Sequence, residues 1–291
     1  LAHDFQEMMR LLEIEKLDKY LYRGYSPSGR THPVFGGQAI AQSIRAATET
    51  VGAEQELHSL HAYFLRPGDA NTPIIYSVDP IRDGRSFATR RVVATQNGEA
   101  IFNTSMSFQI SQPGVSHQDP MPGSVPGPED LESDEDFWVR MAEKHPDKAP
   151  AIGNLYSAID SRPVERWDVF QPEQREPKRL VWMKANGKLP DDPVLHRMIL
   201  AYASDLYFLG TSMLPHKLSW WMGDVQAASL DHAIWFHDSF RADEWLLYVM
   251  ESPRSGGSRG LNRGSLFTRQ GVLVASTMQE GLMRLRKGKH S

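Results

Sequence analysis

The chain has 291 residues, 40% hydrophobic and 10% aromatic, which is enough apolar material for a sizeable core and too much for global disorder. A formal net charge of -4 and a pI near 6.3 do not favour a polyanionic partner, so nucleic acid is not expected. The absence of cysteine excludes a disulfide framework, a cysteine nucleophile and a thiolate metal site, and no apolar run reaches the roughly 18–20 residues that span a bilayer.

The first segment, LAHDFQEMMRLLEIEKL, has the pattern of an amphipathic helix and mixes acids with bases, unlike a signal or transit peptide. HPVFGGQAIAQSIRAATETVG predicts a second helix, with Ile40, Ile44, Ala47 and Val51 on one stripe. LHSLHAYFL, TPIIYSVDPI and SFATRRVVATQ then read as strands, and Asn97-Gly98 turns the chain into a fourth, EAIFNTSMSFQI. Beyond Ser111, proline and glycine cluster in QPGVSHQDPMPGSVPGP and acids in EDLESDED. That composition predicts a surface linker over 111–154, interrupted by one short helix at DEDFWVRMAEKH with Ser133 and Asp136 as its capping box.

The remainder repeats the first part. RPVERWDVF and RLVWMKANG read as strands, LHRMILAYASDLYFLGTSML as a helix, and QAASLDHAIWF, EWLLYVMES and LNRGSLFTRQ as strands. A turn at Gln270-Gly271 leads into VLVASTMQEGLMRL. The turns align Gly98 with Gly271 and Met106 with Gln279, and Ser59-Leu60 echoes Ser229-Leu230. The expected organisation is a duplicated α+β chain, with units over 1–110 and 155–291, in which antiparallel strands cover two long helices.

GGSRG, Gly256–Gly260, fits the G-x-S-x-G pattern of a nucleophile elbow. An elbow needs a helix after its serine, and Ser258 is followed by strand-like sequence, so the stretch reads as a strand connection. His58 and His61, three apart on a strand, point to opposite faces, as do His232 and His237, so no metal is expected. No G-x-G-x-x-G or P-loop supports a nucleotide fold.

Asp205 shares a helix face with Met198, Tyr202 and Leu209, where a carboxylate is costly unless it is hydrogen-bonded or functional. Its other reading is an internal N-cap, with Ser204-Asp205 restarting a broken helix. Gln279 alternates with Thr277 and Ala275 and on its own reads as a solvated strand residue. Ser229 reads as a strand-start serine, and Asp231 and His232 read as edge and core residues.

FGGQAIAQS, HSLHAYFLRPGD, HRMILAYASDLYFL, SLDHAIWFH and ASTMQEGLMR, in this order, resemble the acyl-CoA thioesterase II (TesB-like) family over roughly Phe5 to Arg286. The resemblance implies a double hotdog fold and hydrolysis of fatty acyl-CoA to free acid and CoA by activated water, with no acyl-enzyme. By motif the catalytic set falls on Asp205, Ser229 and Gln279, with serine where many members carry threonine. The exchange keeps the hydroxyl and drops the methyl that restricts χ1. Asp205 would accept the water's proton, Ser229 and Gln279 would hold the water, and backbone N–H groups near a helix start would meet the oxyanion.

His58 is a further candidate for substrate contact, and Arg259 and Arg263 are candidates along the CoA path. One active site per chain is expected, since Met106 replaces Gln279 in the first unit. Two alternatives are a hotdog enoyl-CoA hydratase or dehydratase, which would need a catalytic Asp–His pair, and a non-catalytic acyl-CoA binding module. The expected partners are the acyl-CoA substrate and further copies of the chain, as a dimer or larger, with no separate cofactor and no membrane. The cytoplasm is the expected compartment, because the C-terminal KGKHS is not a peroxisomal address of the SKL type.

Overall fold

Two helices form the centre of the molecule. GGQAIAQSIRAAT makes α2 (Gly36–Thr48), and its small residues leave it buried on nearly every face. A shorter helix, α1 (Phe5–Leu12), precedes it, with Asp4 as N-cap. In the second unit Asp192 accepts from the N–H groups of Val194 and Leu195, and Pro193 at the first turn has no N–H to satisfy, so α4 (Pro193–Ser204) starts there. The start of α2 abuts the end of α4. A Cβ on Gly37 would lie 2.4 Å from the Tyr202 carbonyl oxygen, so only glycine permits this approach.

The computed structural model describes residues 4–27, 33–148 and 158–286; the last residues of the predicted linker and the KGKHS tail lie outside the described residues. The first unit contributes β1 (Glu15–Asp18), β2 (Leu21–Gly24), β3 (Gln55–Phe64), β4 (Ile74–Asp83), β5 (Phe87–Gln96) and β6 (Glu99–Ile110). The second contributes β7 (Ile159–Pro163), β8 (Lys178–Ala185), β9 (Val225–Ser229), β10 (Asp231–Phe236), β11 (Leu246–Gly256), β12 (Arg259–Thr268) and β13 (Leu273–Leu285). Together they form one 13-stranded antiparallel sheet in the order β1-β2-β4-β5-β6-β3-β10-β13-β12-β11-β8-β7, with β9 also on β13. The units join where β3 meets β10, with His61 opposite Ala233. Ile40 and Ile44 of α2, Met198 and Tyr202 of α4, and Leu60, Phe102, Phe108 and Ile234 of the sheet share one core. Each contributes about 1.5–3 kcal/mol by leaving water. This is the α+β double hotdog architecture.

The turns follow the local sequence. Asn97 (φ 50) and Gly98 (φ 81) are both left-handed, as the tight β5–β6 hairpin requires. GGSRG is another such hairpin, with Gly257 (φ 59) and Ser258 (φ 60) at its tip between paired Gly256 and Arg259.

Three expectations need correction. The predicted helix through 195–214 breaks after Ser204; Tyr207 turns left-handed (φ 63) before the short α5 (Phe208–Thr211). Asp205 therefore ends a helix rather than capping a new one. Second, the linker helix α3 (Asp134–Lys144) is not a loose surface element, because Phe137 and Met141 bury against Phe170 beside Trp221. Third, Ser59 is not the counterpart of Ser229. The β3 ladder is irregular between Leu57 and Ser59, and the matching break falls at Leu230, between β9 and β10. Aligning the breaks, His58 with Leu230, puts Leu57 in the place of Ser229, a buried side chain with no hydroxyl.

Tyr248 links the sheet to the end of α4. Its hydroxyl donates to the Ser204 carbonyl (3.1 Å) and bonds Thr277 Oγ1 (2.8 Å), satisfying a helix-end carbonyl. Its ring lies over Gly264, where a Cβ would stand 2.4 Å from Tyr248 Cε2 and 2.7 Å from Thr277 Oγ1. Gly264→Ala is expected to cost about 1–3 kcal/mol, seen as a lower urea midpoint at unchanged slope.

Candidate active site

The break after α4 leaves Asp205 at the seam between the units. Its side chain is 6% exposed. Oδ2 accepts from the Gly37 N–H of α2 at 3.0 Å, a bond that spans 168 residues of sequence. A negative group there is favoured by the unpaired N–H groups and dipole at a helix start. Gly36 is constrained too, since a Cβ on it would lie 2.7 Å from the same oxygen. Asp205 thus engages the N–H of Gly37, one of the helix-start donors assigned by resemblance to an oxyanion.

The other carboxylate oxygen faces the sheet. Gln279, fully buried on β13, donates from Nε2 to Asp205 Oδ1 at 2.7 Å. The same nitrogen lies 3.0 Å from His232 Nδ1, and His232 Nε2 lies 3.0 Å from Ser204 Oγ. Burial pushes the His232 pKa down to about 4, outweighing the upward pull of Asp205, so the imidazole is neutral near pH 7. Gln279 Oε1 is buried without a protein partner. So are both amide atoms of Asn262, the residue across the β12–β13 ladder from Gln279. Buried polar atoms left without a protein partner are the kind that ordered water satisfies.

Ser229 lies one step further along the same face. It ends β9 rather than starting a strand, and stands opposite Gly281, two residues beyond Gln279 on β13. No direct hydrogen bond among the described residues joins its hydroxyl to Asp205 or Gln279.

The structure does not bring His58, Arg259 or Arg263 to this cluster. His58 bonds Ser107 Oγ at 2.8 Å and packs edge-on against Phe87. It stands five residues, about 15 Å of strand, from Tyr63, the residue opposite Asp231. Arg259 pairs with Glu280 at 2.9 Å and Arg263 with Glu251 at 2.6 Å, both exposed, because strand alternation turns them away from the face that carries Asn262. His232 is the residue that sequence reasoning passed over. Its signal was its place on one face of β10 with the buried Ile234 and Phe236, the face turned to the core.

The neutral His232 has a consequence for stability. The unfolded imidazole takes up a proton below about pH 6.5, while the native one stays neutral until about pH 4. The stability this group contributes is therefore complete above pH 6.5 and lost as the pH falls toward 4. Relative to His232→Asn, which has nothing to titrate, the wild type should lose about 3 kcal/mol between pH 7 and pH 4, measured by urea unfolding at each pH.

Comparison with known proteins gives a consistent result. A family model described as "Acyl-CoA thioesterase" matches residues 155–282, and one for the "Acyl-CoA thioesterase N-terminal domain" matches residues 26–109. The chain is 42% identical to acyl-coenzyme A thioesterase 8 of Mus musculus, over 95% of this chain and 88% of that protein. It is 35% identical to acyl-CoA thioesterase 2 of Haemophilus influenzae, over 95% and 96% of the two chains. Among solved structures, the acyl-CoA thioesterase II TesB2 of Mycobacterium marinum superposes with a TM-score of 0.79 at 43% identity, covering 97% of this chain and 99% of that one. With this similarity along nearly the whole chain, the protein belongs to the acyl-CoA thioesterase II (TesB-like) family and is a thioester hydrolase that cleaves acyl-CoA to fatty acid and CoA.

Proposed function

We propose that the thioester is cleaved by a water molecule that Asp205 orients and deprotonates, with Ser229 and Gln279 ordering the same water and no acyl-enzyme formed. The observation that carries this reading is the pairing of a buried carboxylate with an unpartnered amide oxygen, Gln279 Oε1, beside it. The water oxygen attacks the thioester carbonyl carbon, its proton passes to Asp205, and the tetrahedral intermediate collapses with loss of the CoA thiolate. A thiolate is a good leaving group, with a thiol pKa of about 8.5, and the proton held by Asp205 returns to it or to solvent. Ser258 supports no competing route, because it sits at an exposed hairpin tip. An Asp–His hydratase mechanism is also disfavoured. His232 lies 4.0 Å from Asp205, but both its ring nitrogens are engaged and it has no exposed surface to offer an acyl chain.

For the acyl group, the cavity of about 200 Å³ that begins at Leu206 and Tyr207, directly after Asp205, is the best-placed receptacle. It has walls of Trp138, Trp167, Trp220 and Trp221. Two larger clefts, of about 890 and 700 Å³, lie around Arg241 and Asp243 and hold none of the site residues. A dimer or larger assembly is supported by the two sheet edges, at β1 and β7.

The test is thiol release from a panel of short to long acyl-CoAs. Asp205→Asn keeps the shape and removes the base, and should lower kcat by about a hundredfold or more. Ser258→Gly should turn over like wild type, and intact-protein mass spectrometry during turnover should show no acyl adduct. An active Asp205→Asn enzyme, or a trapped acyl-protein, would refute the water mechanism.

A further inference from the structure

We infer that His232 is a positioning residue: held by Ser204 in one neutral tautomer, it fixes which way the Gln279 amide faces and so makes Gln279 an acceptor toward the catalytic water. The inference rests on the water mechanism above and follows from counting hydrogens along a chain of bonds.

The chain starts at Ser204, the last residue of α4. Its hydroxyl donates to the Ala201 carbonyl at 2.9 Å, so Oγ presents only lone pairs to its other neighbour. That neighbour is His232 Nε2 at 3.0 Å, which must therefore carry the hydrogen. A neutral imidazole has one N–H, so Nδ1 is a bare lone pair. It faces the side-chain nitrogen of Gln279 at 3.0 Å and accepts one amide hydrogen. The second amide hydrogen goes to Asp205 Oδ1 at 2.7 Å. Both Gln279 hydrogens are then committed, and the oxygen is the atom left over, buried and unpartnered. Turning the amide over would set that oxygen against a carboxylate oxygen and an imidazole lone pair, replacing two attractions with two repulsions.

The consequence for the water is directional. One O–H points to Asp205 and the other to Gln279 Oε1, so both hydrogens are held. Its lone pairs remain for the thioester carbon and for the Ser229 hydroxyl as donor. A histidine with its hydrogen on Nδ1 would force Gln279 to turn over, presenting N–H groups to the water and weakening its nucleophilicity. The groups facing the ring are Asp205, Gln279, Ser204 and the edge of Phe208, whose ring centroid is 5.7 Å away. The ring is fully buried, so solvent does not compete for either nitrogen.

Two replacements of the same ring separate positioning from packing. In His232→Asn the amide oxygen can stand where Nδ1 stood and still accept from Gln279. In His232→Gln the polar atoms move out toward the Nε2 position and that acceptor is lost. The expected result is a kcat within about threefold of wild type for His232→Asn and a loss of about tenfold to a hundredfold for His232→Gln, with KM changed less than about twofold in both. A packing role would lower the two melting temperatures and activities alike, and equal kcat values would overturn the proposal. Ser204→Ala keeps the ring and removes the tautomer's anchor. It should lower kcat in the same way, and an unchanged kcat there counts against the proposal even where the His232 variants fail to fold. In wild type, the imidazole ¹⁵N shifts near pH 7 should show Nε2 protonated and Nδ1 not; the opposite tautomer or a charged ring would overturn it. Loss of the water mechanism itself reads differently, as an Asp205→Asn enzyme that stays active.

Discussion

A carboxylate buried where two helices meet is costly unless hydrogen bonds replace the water it has lost. Asp205 obtains one from the first turn of α2 and one from Gln279 on the sheet, so a single side chain ties together both helices and both units. The rest of the centre is arranged around that requirement. The α2 start needs glycines at 36 and 37 because it must come within hydrogen-bond reach of Asp205 and against Tyr202. The end of α4 needs Tyr248 to take its carbonyl and His232 to take its serine. Helix geometry alone would carry the chain on past Ser204. The break there is what turns Asp205 toward the neighbouring unit.

The duplication provides a frame for one site but not two. Each unit gives a helix and a curved half of the sheet, and the halves share a ladder between β3 and β10. The place corresponding to Gln279 in the first unit holds Met106, buried and unable to bond a carboxylate. The place corresponding to Ser229 holds Leu57, buried and without a hydroxyl. The first unit contributes the Gly37 N–H, and the second contributes Asp205, Gln279 and His232. A cluster assembled from both units in this way depends on their relative placement, which the shared β3–β10 ladder holds.

What was legible in the sequence was local or periodic. Asn97-Gly98 announced its hairpin because the left-handed φ values it needs are cheap for those two residues. Asp205 stood out because a charge on an apolar helix stripe breaks a period that can be counted. Its helix-start partner did not, since Gly37 lies 168 residues away and nothing local marks a glycine N–H as a donor to a distant acid. The echo between Ser59 and Ser229 misled because the matching letters lie two residues out of step; which residue of β3 answers to Ser229 depends on ladder register at the break, which local sequence does not carry. His232 was read as core, and it is core; that it also bonds Gln279 depends on how two strands stack in register, which periodicity does not encode.

The linker enters the same economy of strain. Tyr207 holds a left-handed backbone two residues after Asp205, a conformation that costs a side-chain-bearing residue about 1–2 kcal/mol. Its hydroxyl donates to Asp134 at the start of α3, a carboxyl also held by Arg166. Burial raises the Asp134 pKa to about 6, with the two arginines Arg166 and Arg179 pulling it back down. Arg179 in turn stacks between Trp167, at 4.4 Å, and Tyr207, at 5.3 Å. The segment joining the two units therefore grips the strained turn that follows Asp205. Its acidic, proline-rich composition hides this, because the residue that makes the contact, Asp134, looks like any acid in a first helical turn. The linker does more than connect the units: it completes the wall behind the turn that the broken helix leaves open.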